Sequence, residues 1–542
     1  MNGLSFSIGA CLCIAAAAHA GITITVDDDA GGAMFDNIQD AIDFANIGDE
    51  IVVWPGTYVA KGIADLQVID TRGKDIFIRS KSGPSVTFID GQNLRRVILC
   101  TPGDDLGEPV LDGFTITNGQ TYGGAGIYCG GGGTHPTFYN CVITNCVGEG
   151  VSGWYSYGAG ILSTDGSSPT FYSCTISNNV RNEIVVPGSG PFADGGGIGG
   201  YNGSHMEFND CTISGNTAAS SGGGCALWNS TATFNSCTFS GNSAPLGGGI
   251  SMESGASVAL NQTTFSGNNA GLGGGVYSSA SALTSAGSTF EENSANSGSG
   301  GGAYFLVCTG KNAPSFTGGT FRSNQAAPFA VGYGHGGGIV CNRSDLNISG
   351  TLFEGNNAAF AGGGIDGSGS PTTGSLVMSG CTFQNNIASD NGGGMNCGFQ
   401  HASISGCVFE GNSSDRGGGV HRDVSSGNFD ISGSSVSGNT ANIQGGGIHT
   451  INSVPLANTT VCGNTPDQVY PSWIDNGGNT VTEECPPQCP DFNGDGLVDG
   501  GDLGAMLAAW GACPGCPEDL TGDGHVDGGD LGLLLAAFGP CS

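Results

Sequence analysis

A segment of the type C-T-F-S-G-N recurs thirteen times between residues 114 and 464, and this repeat limits the possible folds more than any other feature of the chain. Its central apolar residue is Ile116, Ile143, Ile176, Ile213, Phe239, Phe265, Phe290, Phe321, Phe353, Phe383, Phe409, Val436 and Val461, with copies 25 to 37 residues apart. Asn stands three residues later in eleven of the thirteen, from Asn179 to Asn464. A glycine cluster and an apolar residue come next, as in Gly247-Gly248-Gly249-Ile250 and Gly445-Gly446-Gly447-Ile448. Such a period means one supersecondary unit per repeat, each burying its apolar face only against its neighbours.

The segments are short, β-branched or aromatic, and alternate in polarity, so they read as strands. Glycine interrupts every unit, which disfavours helix. Three short strands and three turns per coil fit the period, giving an all-β parallel solenoid over residues 21–480 with coils about 4.8 Å apart. Stacking then sets each repeat position above itself. Ile and Phe form an interior stack, Asn forms a ladder at a turn, and glycine permits the tight turns. The entry segment Ile38-Gln39-Asp40-Ala41-Ile42, followed by Gly48-Asp49-Glu50-Ile51-Val52-Val53-Trp54-Pro55-Gly56-Thr57-Tyr58, completes a resemblance to right-handed parallel β-helix proteins of the pectin-lyase-like superfamily. The resemblance implies a capping helix and then the first coil strand. The F-x-x-N and G-G-G-I pairing also resembles the repeats of chlamydial polymorphic outer-membrane proteins, without their C-terminal barrel.

Thirteen Lys and Arg face 46 Asp and Glu, a net charge of −33. A chain so poor in cations repels nucleic acid and anionic lipid. No run after the N-terminus is long and apolar enough to span a membrane. Residues 8–18 are apolar and small, and Ala18-His19-Ala20 is an A-x-A cleavage site, so residues 1–20 read as a signal peptide, although Met1 to Phe6 carries no Lys or Arg. Export to the cell surface or a bacterial envelope is the expectation. Of 21 cysteines, Cys11 and Cys13 fall in that segment, and the 19 remaining predict at least one free or intermolecular thiol. Cys141, Cys174, Cys211, Cys237, Cys381 and Cys407 share the first repeat position. Stacking leaves two states open for them, disulfides such as Cys381–Cys407 or a stack of free thiols.

Composition shifts at Cys485-Pro486-Pro487-Gln488-Cys489-Pro490, inside a linker over 481–490. Two twelve-residue segments follow, Asp491 to Asp502 and Asp519 to Asp530. Calcium takes six to eight oxygens, and a loop of this length supplies them at positions 1, 3, 5, 7, 9 and 12. Here these are Asp491, Asn493, Asp495, the Leu497 carbonyl, Asp499 and Asp502, then Asp519, Thr521, Asp523, the His525 carbonyl, Asp527 and Asp530. Gly496 and Gly524 stand at position 6, where the loop turns sharply. Leu503, Met506, Leu507 and Trp510, and again Leu531, Leu534, Leu535 and Phe538, give each exiting helix one apolar face. A loop with only an exiting helix, occurring twice and ending in Asp, resembles a type I dockerin. The resemblance implies two calcium ions and attachment to a cohesin-like or other envelope receptor. Gly500-Gly501 and Gly528-Gly529 occupy the recognition positions where dockerins often carry Ser or Thr. Cys489, Cys513, Cys516 and Cys541 resemble a Gly-Cys variant of envelope-associated bacterial proteins, for which Cys489–Cys513 with Cys516–Cys541 is one pairing.

Stacking the repeats also gathers polar residues late in the solenoid. Asp366, Asn396, His421 and His449 follow the glycine-apolar run; Asn391, Arg416 and Gln444 precede it; Asp415, Arg422 and Asp423 lie close in sequence. Asp366, Arg416, His421 and His449 are therefore the candidates for acid/base chemistry, and His335 reads as a turn residue. Tyr128, Tyr277 and Tyr304 share the post-glycine position and are expected as exposed rings for sugar stacking. Two classes of function follow. One is a non-catalytic surface, adhesive or carbohydrate-binding solenoid, favoured by regular repeats and the lack of a complete catalytic motif. The other is a polysaccharide lyase or glycoside hydrolase, implied by the superfamily resemblance.

Overall fold

The computed structural model describes residues 21–541 apart from 30, 104–106, 152–157, 185–193, 328–333, 368–373, 423, 486–488, 514–515 and 522–523. The proposed signal segment 1–20 and the candidates Asp423 and Asp523 lie outside the described residues. The chain divides into two compact units, one ending at Val481 and one starting at Thr482. Among the described residues no helix is long and apolar enough to cross a membrane.

The first unit is a parallel β-helix. One coil runs through strands Thr231–Asn235, Thr238–Ser240 and Ser243–Leu246, then turns into Ile250–Glu253. Among the described residues, equivalent strands stack into four parallel sheets of 17, 16, 12 and 15 strands, taken in that chain order. Three strands per coil were expected, and the third sheet is the difference. Its strands are as short as Thr217–Ala218 and Ser294–Ala295, too brief to show a period in the sequence. Register is kept across coils: Ile213 pairs with Phe239, Phe239 with Phe265, and Phe265 with Phe290.

Inward-facing rings fill the core. Phe239, Phe265, Phe290, Phe321, Phe353 and Phe383 stack with centroids 4.5 to 5.0 Å apart. Phe138, Phe171, Phe208 and Phe234 of the first sheet form a second stack at 4.9 to 5.0 Å. This spacing is the coil rise itself, so every ring meets its copy face on. The repeat cysteines are buried free thiols, Cys381 and Cys407 included, which decides between the two states left open by the sequence. They act as small hydroxyl-like groups: Cys237 Sγ donates to the Phe208 carbonyl at 3.4 Å, as Thr263 Oγ1 does to Phe234 at 3.0 Å one coil on. Burial pushes the Cys146 thiol up to about 12.

The Asn residues turn the chain from the second sheet into the third and are fully buried from Asn179 to Asn439. Asn242 is representative. Its backbone N–H and Nδ2 both donate to Asn268 Oδ1, at 3.1 and 2.9 Å, and Nδ2 also donates to the Ile213 carbonyl at 2.8 Å. Each side chain thus satisfies buried groups of two neighbouring coils, which a shorter or apolar residue leaves unpaired. The glycine triplet makes the next corner. Gly247 has φ +61°, and a Cβ on Gly249 would lie 2.5 Å from the Gly275 carbonyl oxygen and 2.8 Å from the Phe265 ring.

At the entrance, helix α1 (Ile38–Phe44) is capped by Asn37, whose Oδ1 accepts from the Gln39 and Asp40 N–H groups. Strand Glu50–Val53 is not the first of the solenoid, because Thr23–Val26 already pairs with it in parallel ahead of α1.

In the second unit, helices α2 (Gly500–Ala508) and α3 (Gly528–Ala536) leave the two aspartate-rich loops. Leu497–Val498 pairs with Gly539–Pro540, and Gly511–Ala512 with His525–Val526. Each loop is thereby tied to the segment after the other helix. Val498, Met506, Val526 and Leu534 form the small core. Leu507, Trp510, Leu535 and Phe538 are about half exposed, so each apolar face is only partly covered by this core. Cys489 is bonded to Cys541 and Cys513 to Cys516, not in the pairing implied by the Gly-Cys resemblance. The antiparallel ladder that brings Pro540 to Leu497 also carries Cys541 to the start of the first loop.

Candidate functional site

The structure brings three of the four candidate acid/base residues of the solenoid, Asp366, His421 and His449, into one row. Asp366, Asn396, His421, His449 and Tyr470 occupy one register row on the fourth sheet. Asn396 Nδ2 donates to Asp366 Oδ1 at 2.6 Å, and Asn396 Oδ1 lies 2.8 Å from His421 Nδ1. With the amide oriented in this way, His421 Nδ1 carries the proton. His421 stacks on His449 at 5.0 Å, and His449 on Tyr470 at 5.4 Å. His335 is more than a turn residue: its Nδ1 is 3.3 Å from Asp366 Oδ2. The fourth candidate, Arg416, ends strand Ser413–Arg416 of the third sheet instead, where it pairs with Asp390 at 3.2 Å.

Burial governs what this row can do. Asp366 is wholly buried and His421 is 3% exposed. Desolvation first, then the charges of His449 and Arg416, push the His421 imidazole down to about 3, so it is neutral at physiological pH. Tyr277 and Tyr304, expected as exposed rings, are 7 and 8% exposed and pack with Val340 against Leu246 and Leu272. The third sheet is the cause, since Leu246 and Leu272 end its strands.

Glu253, which the sequence does not mark, is a further chemical group on the same sheet. It pairs in register with Trp228, which in turn pairs with Tyr201. Its Oε1 is buried without a hydrogen-bond partner, and burial raises the carboxyl to about 7. It occurs once, whereas equivalent positions hold Tyr201 and Trp228, so no repeat signal points to it.

In the first C-terminal loop the carboxylates organise the backbone. Asp491 Oδ1 accepts from the Gly494 and Asp495 N–H groups, and its Oδ2 from Gly496 at 2.8 Å. Asn493 Oδ1 accepts from Asp495 N–H at 2.9 Å. Asp499 caps α2 in a capping box with Asp502, which is fully buried and also accepts from Phe492 N–H at 2.7 Å. In the second loop Asp519 accepts from Gly524, Asp527 caps α3, and Asp530 accepts from Thr521 and Asp527. The Asp499 and Asp527 N–H groups are the main cause holding Asp502 and Asp530 below the usual carboxylate range. In the first loop no three carboxylates lie within 4.8 Å of one another; they are turned onto backbone N–H groups instead. The donor set nevertheless fits a hard cation, with ionised oxygens at the loop positions calcium uses and glycine at the turn. Asp491, Asn493, Asp495, the Leu497 carbonyl, Asp499 and Asp502 would hold the first ion, and the matching described residues of the second loop would contribute to the other.

No curated protein matches the chain. Among solved structures, the chain is similar to the catalytic unit of a thermostable GH87 alpha-1,3-glucanase from Streptomyces thermodiastaticus, at 11% identity and a TM-score of 0.25, covering 83% of this chain and 64% of that one. It is also similar to the A-module of the mannuronan C-5 epimerase AlgE6 from Azotobacter vinelandii, at 11% identity and a TM-score of 0.28, covering 83% of this chain and 94% of that one. Residues 82–321 match the family described as right handed beta helix region, and this chain is accordingly an all-β right-handed parallel β-helix across those coils.

Proposed function

We propose that the protein is exported and envelope-attached, that its solenoid binds polysaccharide without cleaving it, and that its C-terminal unit is a dockerin-like module closed by two calcium ions. One observation carries the non-catalytic part. The groups that acid/base chemistry would need are committed elsewhere: Asp366 is wholly buried between Asn396 and His335, and His421 is buried and neutral. Binding is supported by ring surfaces on the outer faces, such as Tyr139 stacked at 4.9 Å on Tyr172 and 38% exposed. In the C-terminal unit the two loops offer matching oxygen donors, and half-exposed Leu507, Trp510, Leu535 and Phe538 offer an apolar surface to a receptor.

The test is a glycan array read beside a turnover assay on neutral and uronate polysaccharides. The expected result is binding with no release of reducing or unsaturated ends. Robust turnover lost in His421→Ala overturns the reading. Glu253 supports a second one, a glycoside hydrolase or polysaccharide lyase, because a carboxyl raised to about 7 suits a general acid. Turnover that persists in His421→Ala and vanishes in Glu253→Gln selects that alternative.

A further inference from the structure

The guanidinium of Arg422 is a buried cation that no carboxylate among the described residues reaches. The residue is 4% exposed, yet it lines a cavity of about 380 Å³ between successive turns that lead from the fourth sheet to the first. Its Nη1 donates to the Phe399 carbonyl at 2.9 Å and to Cys397 Sγ at 3.6 Å. Its Nη2 donates to the Ser426 carbonyl at 3.1 Å and the Gln400 carbonyl at 3.5 Å. Its carbon Cζ lies 4.7 Å from the centre of the Phe429 ring. These partners are neutral. Among the described residues no carboxylate is within ion-pair distance of Arg422, whereas buried Arg181 has Asp194 at 3.5 Å. Arginine stays charged in proteins, and a buried charge is costly unless an opposite charge meets it. In a chain with 13 cations against 46 anions, a buried guanidinium without a counter-charge beside a cavity marks a place for an incoming anion.

The rest of the cavity wall says what carries that anion. Asn428, Thr450, Asn452 and Ser453 line it with amide and hydroxyl groups, and its volume accommodates a single sugar ring. Asp430 also lines it, but is exposed at the surface rather than buried with Arg422. We propose that this cavity is a subsite for an acidic saccharide, with the oxyanion at Arg422 and the ring hydroxyls at Asn428, Asn452 and Ser453. The oxyanion is a carboxylate or a sulfate ester, and a guanidinium pairs with either. The inference rests on the glycan-binding reading above and specifies where, and by which chemistry, one ligand residue is held.

The experiment uses the full chain and calorimetric titration with oligosaccharides of matched length in three forms: neutral, uronate-containing and sulfated. Arg422→Ala tests the cation directly, but also removes four bonds that hold the turn. Asn452→Asp is therefore the second variant, placing a negative charge at the exposed rim while leaving every Arg422 contact in place. The expected result is at least one acidic form bound about ten-fold more tightly than the neutral form, with that preference lost in Asn452→Asp at unchanged thermal stability. The uronate and sulfated arms identify the oxyanion. Equal affinity for neutral and acidic forms, or an Asn452→Asp variant that keeps the preference, overturns the subsite while leaving glycan binding intact. Absence of binding to all three, together with a blank glycan array, overturns both.

Discussion

Gln468 closes the asparagine ladder onto Asn464, its Oε1 accepting from the Asn464 backbone N–H at 3.1 Å and from its Nδ2 at 2.9 Å. A glutamine four residues along the chain thus stands in for the next coil's asparagine. The ladder is a chain of acceptors in which each member serves the one before it. Removing a middle member, as in Asn293→Ala, strips Asn268 of the acceptor for its N–H and Nδ2 and the Phe265 carbonyl of a donor. An unpaired buried group costs about 1–3 kcal/mol, so Asn293→Ala is expected to destabilise the solenoid by about 3 kcal/mol or more. Gln468→Ala, at the end of the ladder, is expected to cost less. Urea denaturation of both variants ranks them.

Much of this was legible in the sequence because it repeats. The Asn and Phe positions recur once per coil, and their spacing alone is enough to stack them. The third sheet could not be read, because a pair such as Thr217-Ala218 is too short to show a period. That gap carried through to Tyr277 and Tyr304, which looked exposed only while Leu246 and Leu272 had no strand to place them. Glu253 and Arg422 were harder still. Each occurs once at its repeat position, and its character comes from burial, which a local pattern does not encode.

Glu253 makes stability depend on pH. Burial raises its carboxyl to about 7 from an ordinary value of 4.5. Between these values the folded chain holds a proton that the unfolded chain has released. Its contribution is therefore fully present below about pH 4.5 and is lost as pH rises through 7. The difference amounts to about 3 kcal/mol. Glu253→Gln is expected to gain stability relative to the parent across this window and to run parallel to it above, as read from denaturation midpoints at pH 4.5 to 8.

His421 acts with the opposite sign. Its folded value of about 3 lies below the ordinary 6.5, so its contribution is present above pH 6.5 and is lost as pH falls toward 3. By pH 5 the loss is about 2 kcal/mol. His421→Gln is expected to flatten this acid limb, which the same midpoints measured from pH 7 down to 4 will show.

The disulfides of the C-terminal unit offer a covalent check on how its two halves are joined. Non-reducing peptide mapping is expected to recover Cys489 linked to Cys541 and Cys513 linked to Cys516. Recovery of Cys489–Cys513 with Cys516–Cys541 would contradict the ladder pairing of Leu497 with Pro540.

The attachment module rests on its two loops, and calcium binding tests them most directly. Calorimetric titration of the full chain, compared with the double variant Asp491→Ala/Asp519→Ala, counts the ions that depend on these loops. Two calcium ions are expected to bind the parent and to be lost in the variant. A difference of fewer than two ions would contradict that expectation.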